Sequence, residues 1–460
     1  MGIAGWLRRV LSGMRLPLWA GRIIAAVPYH HRPGLGLMYK KSFRSLHEME
    51  VMDTRQKEEW VFQKMRDLVI YAENNIPFYS DHYHRNGFDS TSLKTFEDIQ
   101  RIPPVTKSQL LKYELQNRSN LDQPGYLVNT GGTSGTTLDL YIHPDHMGNE
   151  WSHMHHIWSK RGFHPTDLKL MFTGRSEFKR GIHYDFVRHS LSINIYAGID
   201  QIAPQLRKLV QRYHPKYIHG YPSAIYEFAL SCRESYPDLL EILRNSLLAG
   251  FLGSEYPIRR FRETIEDLFQ ISTISWYGHT ERCILAYEEK DPLIYHPFQT
   301  YGFTEVVTND SGEETLVGSS YYNLTSPLIR YDTEDQVSDY EMEGGLLARF
   351  RVKEGRVGEF ILDGNGKKIP LTGLIFGRHH ELFNYCSHIQ IHQKEPGFAT
   401  VLYVPLKARD ISNPKDLFDS KNVNIIFDFL ELPEPIRTAA GKVKLIVKDD
   451  MIHQKTSEQL

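Results

Sequence analysis

Residues 128–141, VNTGGTSGTTLDLY, hold the densest chemical signal in the chain. Eight consecutive positions carry Gly131, Gly132 and Gly135 with Thr130, Thr133, Ser134, Thr136 and Thr137. Glycines let a backbone turn tightly and bring its N–H groups to an anion. Hydroxyls add donors that wrap phosphate oxygens without a fixed charge. The run is not a Walker A loop, because no Gly-Lys-Ser/Thr follows at the required spacing. A Ser/Gly-rich surface turn is the commoner fate of such a run taken alone, so its meaning depends on what accompanies it. Further polar turns follow in order: Gly253-Ser254-Glu255, Tyr277-Gly278-His279-Thr280-Glu281, Arg330 to Asp335, Gly355 to Glu359, and Gly441-Lys442. His153 and His156 lie one helical turn apart, a spacing that suits a metal. No carboxylate or cysteine completes a ligand set nearby, and a pocket wall or solvent is the expected setting.

The elements that must position these turns follow from periodicity. Mixed three- and four-residue apolar spacing predicts a helix over 45–75, broken at Asn74-Asn75-Ile76-Pro77. Thr106 is a cap for the next helix. A short strand over 138–142 and a helix over 149–160 follow the glycine–threonine run. Strands at 168–172, 217–220, 246–252 and 271–276 alternate with helices at 202–213, 223–232 and 258–269. That alternation predicts a parallel sheet covered by helices, and ligands on such sheets bind beyond the carboxyl ends of the strands. Three polar turns fall at such ends: Gly220-Tyr221-Pro222, Gly253-Ser254-Glu255 and Tyr277 to Glu281. From Leu293 the pattern becomes short strands, at 295–298, 305–307 and 315–321 and then through 327–335, a β-rich subdomain. Asp363-Gly364-Asn365-Gly366 after 360–362 signals a hairpin. The last hundred or so residues read as mixed, with strands at 387–392, 399–404, 423–427 and 443–447 and a short helix at 414–420.

Composition bounds the class. The 460 residues exceed what one core supports and call for two or three packed units. With 41% hydrophobic and 24% charged residues the chain is globular, and a net charge of −2 gives no overall pull toward nucleic acid. Cys232, Cys283 and Cys386 are far apart and odd in number, which fits a reducing, cytoplasmic setting. No run approaches the ~20 apolar residues of a membrane-spanning helix. Residues 1–27 mix four arginines with Trp6, Trp19 and several leucines. They read as an ordinary helix packed on the body, or as an amphipathic segment docking at the inner face of a membrane.

The order and spacing of the six turns resemble the adenylate-forming superfamily of acyl- and aryl-CoA ligases and adenylation domains. The upstream segment NNIPFYSDHYHRNGF…LKTFEDIQRIPPVTKSQL is similar to the phenylacetate–CoA ligase and capsule-biosynthesis CapK-like branch. The likeness covers roughly residues 70–450. It implies an α/β fold: a large N-terminal domain over 1–355 with mostly parallel sheets and a β-rich subdomain (1–45 as an extension), and a small mobile α+β lid over 356–460. It implies ATP-dependent activation of a small carboxylic acid, with Mg²⁺, followed by transfer to CoA or to an amine or hydroxyl on a sugar or carrier, in surface polysaccharide biosynthesis. On this likeness Thr133, Ser134, Gly135, Thr136 and Thr137 cradle the β- and γ-phosphates. Ser254 and Glu255 lie beside adenine, Tyr277 stacks near its ring, Gly278 also belongs to the nucleotide site, and Asp335 accepts from the ribose. Thr280 meets the α-phosphate, Glu281 holds the metal, Arg356 contacts ribose or phosphate, and Lys442 is the catalytic lysine, with Lys444 its rival. The exit of the loop departs from the family, reading Leu138-Asp139-Leu140 where Gly-x-Pro is usual, and Glu334 stands before Asp335 where glycine is common. Cys283 and His296 do not complete the zinc site of some relatives, and no zinc is expected. The competing reading is a nucleotide-binding scaffold of the same fold that has lost turnover.

The segment between the loop and residue 255 is expected to line the acid pocket. It supplies Trp151, His155, Trp158, Phe172, Tyr184, His219, Tyr221 and Tyr226, with Arg175, Lys179 and Arg180 able to pair with a second acidic group.

Overall fold

The computed structural model describes residues 17–31, 36–131, 137–173, 181–308, 312–353, 360–376, 378, 380–406, 411–436 and 445–447. At its centre is a mixed sheet of twelve strands. Five of them are parallel neighbours: Ser190–Asn194, Lys169–Thr173, Tyr217–Gly220, Ala249–Leu252 and Ser272–Gly278. Alternation along these strands covers both faces, as a parallel sheet requires. Ile218 and Leu252 face a core built with the helices Ile199–Tyr213, Pro222–Ser235, Pro237–Arg244 and Arg259–Phe269. Tyr217, Phe251 and Ile274 face the other way, onto the helix Asp145–Ser159. There Trp158 stacks on Phe251 with ring centres 4.8 Å apart.

The β-rich portion expected after Leu293 is present, and its strands extend this sheet. Leu285–Glu288 pairs antiparallel with Ser272–Gly278, and Tyr295–Pro297 pairs with it in turn. Beyond them lie Leu346–Val352, the long strand Tyr331–Glu343, Glu314–Ser319 and Phe303–Thr308. The N-terminal helices cover this half. The helix predicted over 45–75 is two, Gly36–Glu50 and Thr54–Asn75, because Asp53 and Gln56 form a reciprocal capping box that starts the second. Its buried face, Val61, Phe62, Met65, Leu68, Val69 and Ala72, shares a core with Leu316, Tyr331, Leu347 and Phe350. Pro77 at the first position of Pro77–Arg85 sets the predicted break.

One connection ties the covering layer to the sheet. Thr106 caps Lys107–Leu110 as expected, and Val105 before it pairs with the sheet: its N–H donates to the Arg330 carbonyl and its carbonyl accepts from Asp332 N–H, each at 2.9 Å. Arg330 locks the junction. Its guanidinium donates to both Glu305 oxygens, at 2.7 and 3.0 Å, and to the carbonyls of Gln100 and Ile102.

The C-terminal part has its own core and a four-stranded sheet of Ile426–Glu431, Phe398–Pro405, Cys386–Glu395 and Ile446–Val447. The predicted hairpin is present, Phe360–Leu362 pairing with Lys368–Pro370 around Asp363, whose carboxylate accepts from the N–H groups of Asn365 and Lys367. The helix expected over 414–420 is a turn, fixed by Asn413 donating to Asp416 at 2.7 Å and by Phe418 stacked on His380 at 4.0 Å. This part meets the large sheet's flank through Lys368 and Glu227 at 2.7 Å and through Asn129 and Asn384 at 3.0 Å.

Candidate active site

Gly220, Leu252 and Ser275 are register partners in three adjacent parallel strands. The turns Gly220-Tyr221-Pro222, Gly253-Ser254-Glu255 and Tyr277 to Glu281 therefore leave the sheet at one carboxyl edge. Gly220 is there because no side chain fits: an added Cβ would lie 2.6 Å from Phe172 Cβ and 2.7 Å from the Phe172 carbonyl oxygen. Glu255 is buried, and its two oxygens accept from Ser223 N–H at 3.1 Å and Ser223 Oγ at 3.0 Å. That link fixes the start of helix Pro222–Ser235 against the neighbouring strand end. Ser254, beside it, is exposed and adopts a left-handed φ of 68°.

Tyr277 and Asp335 are brought together across the sheet. The tyrosine ring meets Phe350 edge to face at 5.6 Å, Phe350 standing on one of the three strands between them, and the tyrosine hydroxyl donates to Asp335 Oδ2 at 2.6 Å. Burial, then the Asp335 charge, hold the phenol far above its ordinary value, so it stays a donor. Glu281 is half-buried in the turn after this strand. His279 Nδ1–H donates to Glu281 Oε2 at 3.1 Å, and His279 Nε2 lies 3.5 Å from Cys283 Sγ. Burial disfavours the Glu281 charge, but the His279 hydrogen bond and charge outweigh it and hold the carboxyl at about 2. Burial opposes the imidazolium likewise, and Cys283 and Glu281 overcome it, pushing His279 well above the ordinary histidine value. Thr280 is exposed between them, and Gly278 ends the strand.

Lys107, in the short helix that Thr106 caps, also belongs to this edge. It is 7% exposed, and its charge acts on both Glu281 and Glu334. Glu334 is raised first by burial, with Asp332, Asp335 and Glu281 adding to it and Lys107 opposing. The edge is thus a field of carboxylates with one buried ammonium among them, an arrangement that suits a cation accompanying a polyanion. The Thr-Lys-Ser sequence gave the only signal for Lys107; its role comes from the Val105–Tyr331 pairing.

The glycine–threonine run sits between Tyr126–Gly131 and Thr137–Ile142, an antiparallel pair in which Gly131 faces Thr137. Thr133, Ser134, Gly135 and Thr136 lie outside the described residues, as do Arg356, Lys442 and Lys444, and only the backbone of Thr137 is described. The altered exit has a structural reason. Leu138 and Leu140 are 0% and 1% exposed in the core under the N-terminal helices, and Asp139, on the other face, accepts from Asn129 Nδ2 at 2.8 Å.

Most aromatics expected in an acid pocket serve packing. Trp151 and His155 pack on Tyr29, Trp158 on Phe251, Phe172 on Phe228 and Tyr226 on Phe261, and the Tyr184 hydroxyl meets His189 Nδ1 at 2.7 Å. His219 and Tyr221 remain at the strand ends, with Trp276 5.5 Å from the His219 ring. Arg175, Lys179 and Arg180 lie outside the described residues. His153 is fully buried, its Nε2 2.9 Å from Thr300 Oγ1 and its Nδ1 2.8 Å from the Asn149 carbonyl oxygen, while His156 lies 3.5 Å from Glu50.

No protein-family model and no curated protein matches the sequence. Solved structures do. A 2-hydroxyisobutyryl-CoA ligase in the postadenylation state with 2-HIB-AMP superposes with a TM-score of 0.53 at 16% identity, over 89% of this chain and 93% of that one. The same ligase with 2-HIB-AMP and CoA in the thioesterification state gives 0.54 at 15% identity over the same shares. The large mixed sheet with its parallel block, the strand-end turns and the small C-terminal sheet give this chain the fold of an adenylate-forming ligase.

Proposed function

We propose that the protein activates a carboxylic acid with ATP as its acyl-adenylate and passes the acyl group to coenzyme A, or to an amine or hydroxyl on a sugar or carrier. One observation carries this reading: Tyr277, Glu281, Asp335 and Lys107 meet at the carboxyl edge of three adjacent parallel strands. In the first step a carboxylate oxygen of the acid bonds to the α-phosphorus, the bond to the bridging oxygen breaks, and pyrophosphate leaves with those electrons. In the second the acceptor attacks the acyl carbon and AMP leaves. Chemistry of this kind needs positioning and charge neutralisation more than proton transfer.

Asp335, oriented by Tyr277, is suited to accept from ribose hydroxyls. Lys107 is suited to phosphate charge, and Thr280 to the α-phosphate. Glu281, held ionised, is the donor a magnesium ion takes, and such an ion would neutralise phosphate charge there. The Glu281 carboxylate already accepts from His279 and from its own N–H, which keeps it ionised and oriented. Ser254, Glu255 and Gly278 frame the nucleotide base in this reading, and Glu255 does so through Ser223. Thr133 to Thr137 supply the phosphate cradle, and Arg356 and Lys442 act from the 356–460 lid. Likeness to the phenylacetate–CoA ligase and CapK-like branch favours a role in surface polysaccharide synthesis. Cys232, Cys283 and Cys386 are free and buried, which accords with a cytoplasmic setting.

ATP–pyrophosphate exchange across aryl, amino, hydroxy and sugar acids, with and without Mg²⁺, tests the proposal. Exchange with one acid class is the expected result and names the acid. ATP binding without exchange under any acid would assign the protein as a nucleotide-binding scaffold instead.

A further inference from the structure

The first 47 residues carry eight arginines and lysines and no aspartate or glutamate, in a chain whose net charge is −2. The described part of this segment is also where apolar side chains are most exposed. Of the seventeen large apolar residues exposed among the described residues, six lie between positions 17 and 51, among them Trp19 at 63%, Ile23 at 66% and Leu37 at 85%. Monomeric proteins seldom cluster such residues without a partner for them.

The orientation is fixed by packing. Helix Leu18–Ala25 buries Leu18, Gly21 and Ala25 against the body. Gly21 lies so close to the Tyr184 ring that an added Cβ would overlap its hydroxyl, and Arg22 donates to the Tyr213 carbonyl at 3.1 Å. The helix therefore cannot roll to hide Trp19 and Ile23, which share the outward face at i, i+4. The following helix, Gly36–Glu50, buries Met38, Tyr39, Ser42 and Leu46 and turns Leu37, Lys40 and Lys41 outward. Tyr29 and Tyr39, with ring centres 5.3 Å apart, hold the two helices together. The result is a fixed, outward apolar face on the first helix and outward lysines on the second.

We infer that this face docks on the surface of an anionic bilayer, with Trp19 and Ile23 entering the headgroup boundary and Lys40 and Lys41 meeting lipid phosphates. Tryptophan favours that boundary because its ring is apolar and its N–H is not. Charge selects the occupant: the stretch is cationic up to Glu48 and Glu50 at the end of its second helix, which complements acidic lipid, each cation contributing about five-fold in affinity. No described helix is long and apolar enough to cross a membrane, so the contact is peripheral. The inference stands apart from the proposed catalysis and does not use any residue of that site.

Flotation of the full chain with phosphatidylcholine vesicles, with and without phosphatidylglycerol, tests it. The protein is expected to float with the anionic vesicles, to stay behind with the neutral ones and to be released by salt. Trp19→Glu/Ile23→Glu and, separately, Lys40→Glu/Lys41→Glu should each lower recovery about ten-fold or more, with the melting temperature unchanged because all four side chains are exposed. Equal recovery on both vesicle types, no recovery on either, or variants that bind as the parent does would each overturn the inference. So would a solution dimer that Trp19→Glu/Ile23→Glu makes monomeric, since a second copy would then be the occupant.

Discussion

At the scale of single residues, the bond between the Tyr277 hydroxyl and Asp335 is the contact most open to test. It is short, involves a carboxylate and is shielded by Phe350, so it belongs to the stronger class of hydrogen bonds. Tyr277→Phe keeps the ring and removes the donor, leaving Asp335 without its orienting partner. In the exchange assay the KM for ATP is expected to rise about ten-fold, in line with ~1.5 kcal/mol for a bond to a charged group, with kcat changing less. An unchanged KM would remove Asp335 from the nucleotide. The lysine assignment is equally direct: Lys442→Ala should cost about 10²-fold or more in adenylate formation while ATP still binds, and Lys444→Ala should cost little. The reverse would exchange their roles. Residue types in the ordered turns were legible from the sequence. The partners that give them meaning were not: Ser223 engages Glu255 from 32 positions away, and Lys107 reaches Glu281 only because Val105 pairs with the sheet.

At the scale of elements, strands with apolar runs were legible and those with polar ones were not. Ser190–Asn194 alternates polar and apolar residues, the pattern of a strand buried on one face, yet it is buried throughout, Ser190, Ser192 and Asn194 included, so no apolar run marks it. Tyr331–Glu343 is the longest described strand and largely solvated; its start falls in the strand and polar turn read at 327–335, and the charged run beyond Asp335 gives no strand signal. The second of these strands carries Asp335 and so belongs to the site, while the first lies beyond Lys169–Thr173, away from it. Arg330 joins Tyr331–Glu343 to the covering segment. Arg330→Met would leave Glu305 buried without its cation; burial already raises that carboxyl, with Arg330 opposing. Denaturant unfolding should show a loss of about 3–5 kcal/mol, and Glu305→Gln in the same background should recover part of it. Recovery of none would mean that Arg330 acts through the carbonyls of Gln100 and Ile102. Gly220→Ala must push apart two strands that hold the site edge, and should cost about 1–3 kcal/mol, read from the same unfolding curves.

At the scale of the whole molecule, stability carries a histidine signature. His146 and His153 are completely buried on helix Asp145–Ser159, under the turn that holds Glu281. Burial, the largest cause in each, lowers both to about 3, and His219 at the strand end is lowered to about 4. Unfolding returns each ring to its ordinary value near 6.5. Between that value and the folded one, the unfolded chain binds protons that the folded chain refuses, so stability falls as pH falls. At pH 5 the loss is about 2 kcal/mol for each of His146 and His153. Carboxylates cannot produce this, because their linkage begins only near their ordinary value: Glu281, held at about 2, keeps its full contribution until the pH drops below about 4.5. Melting temperatures should therefore decline steadily from pH 7 to pH 5. His153→Gln, which keeps an amide for Thr300, should flatten that slope while lowering stability at pH 7. A melting temperature constant down to pH 5 would show that these rings accept protons in the folded protein, and that the layer beneath the site is wetter than its packing implies.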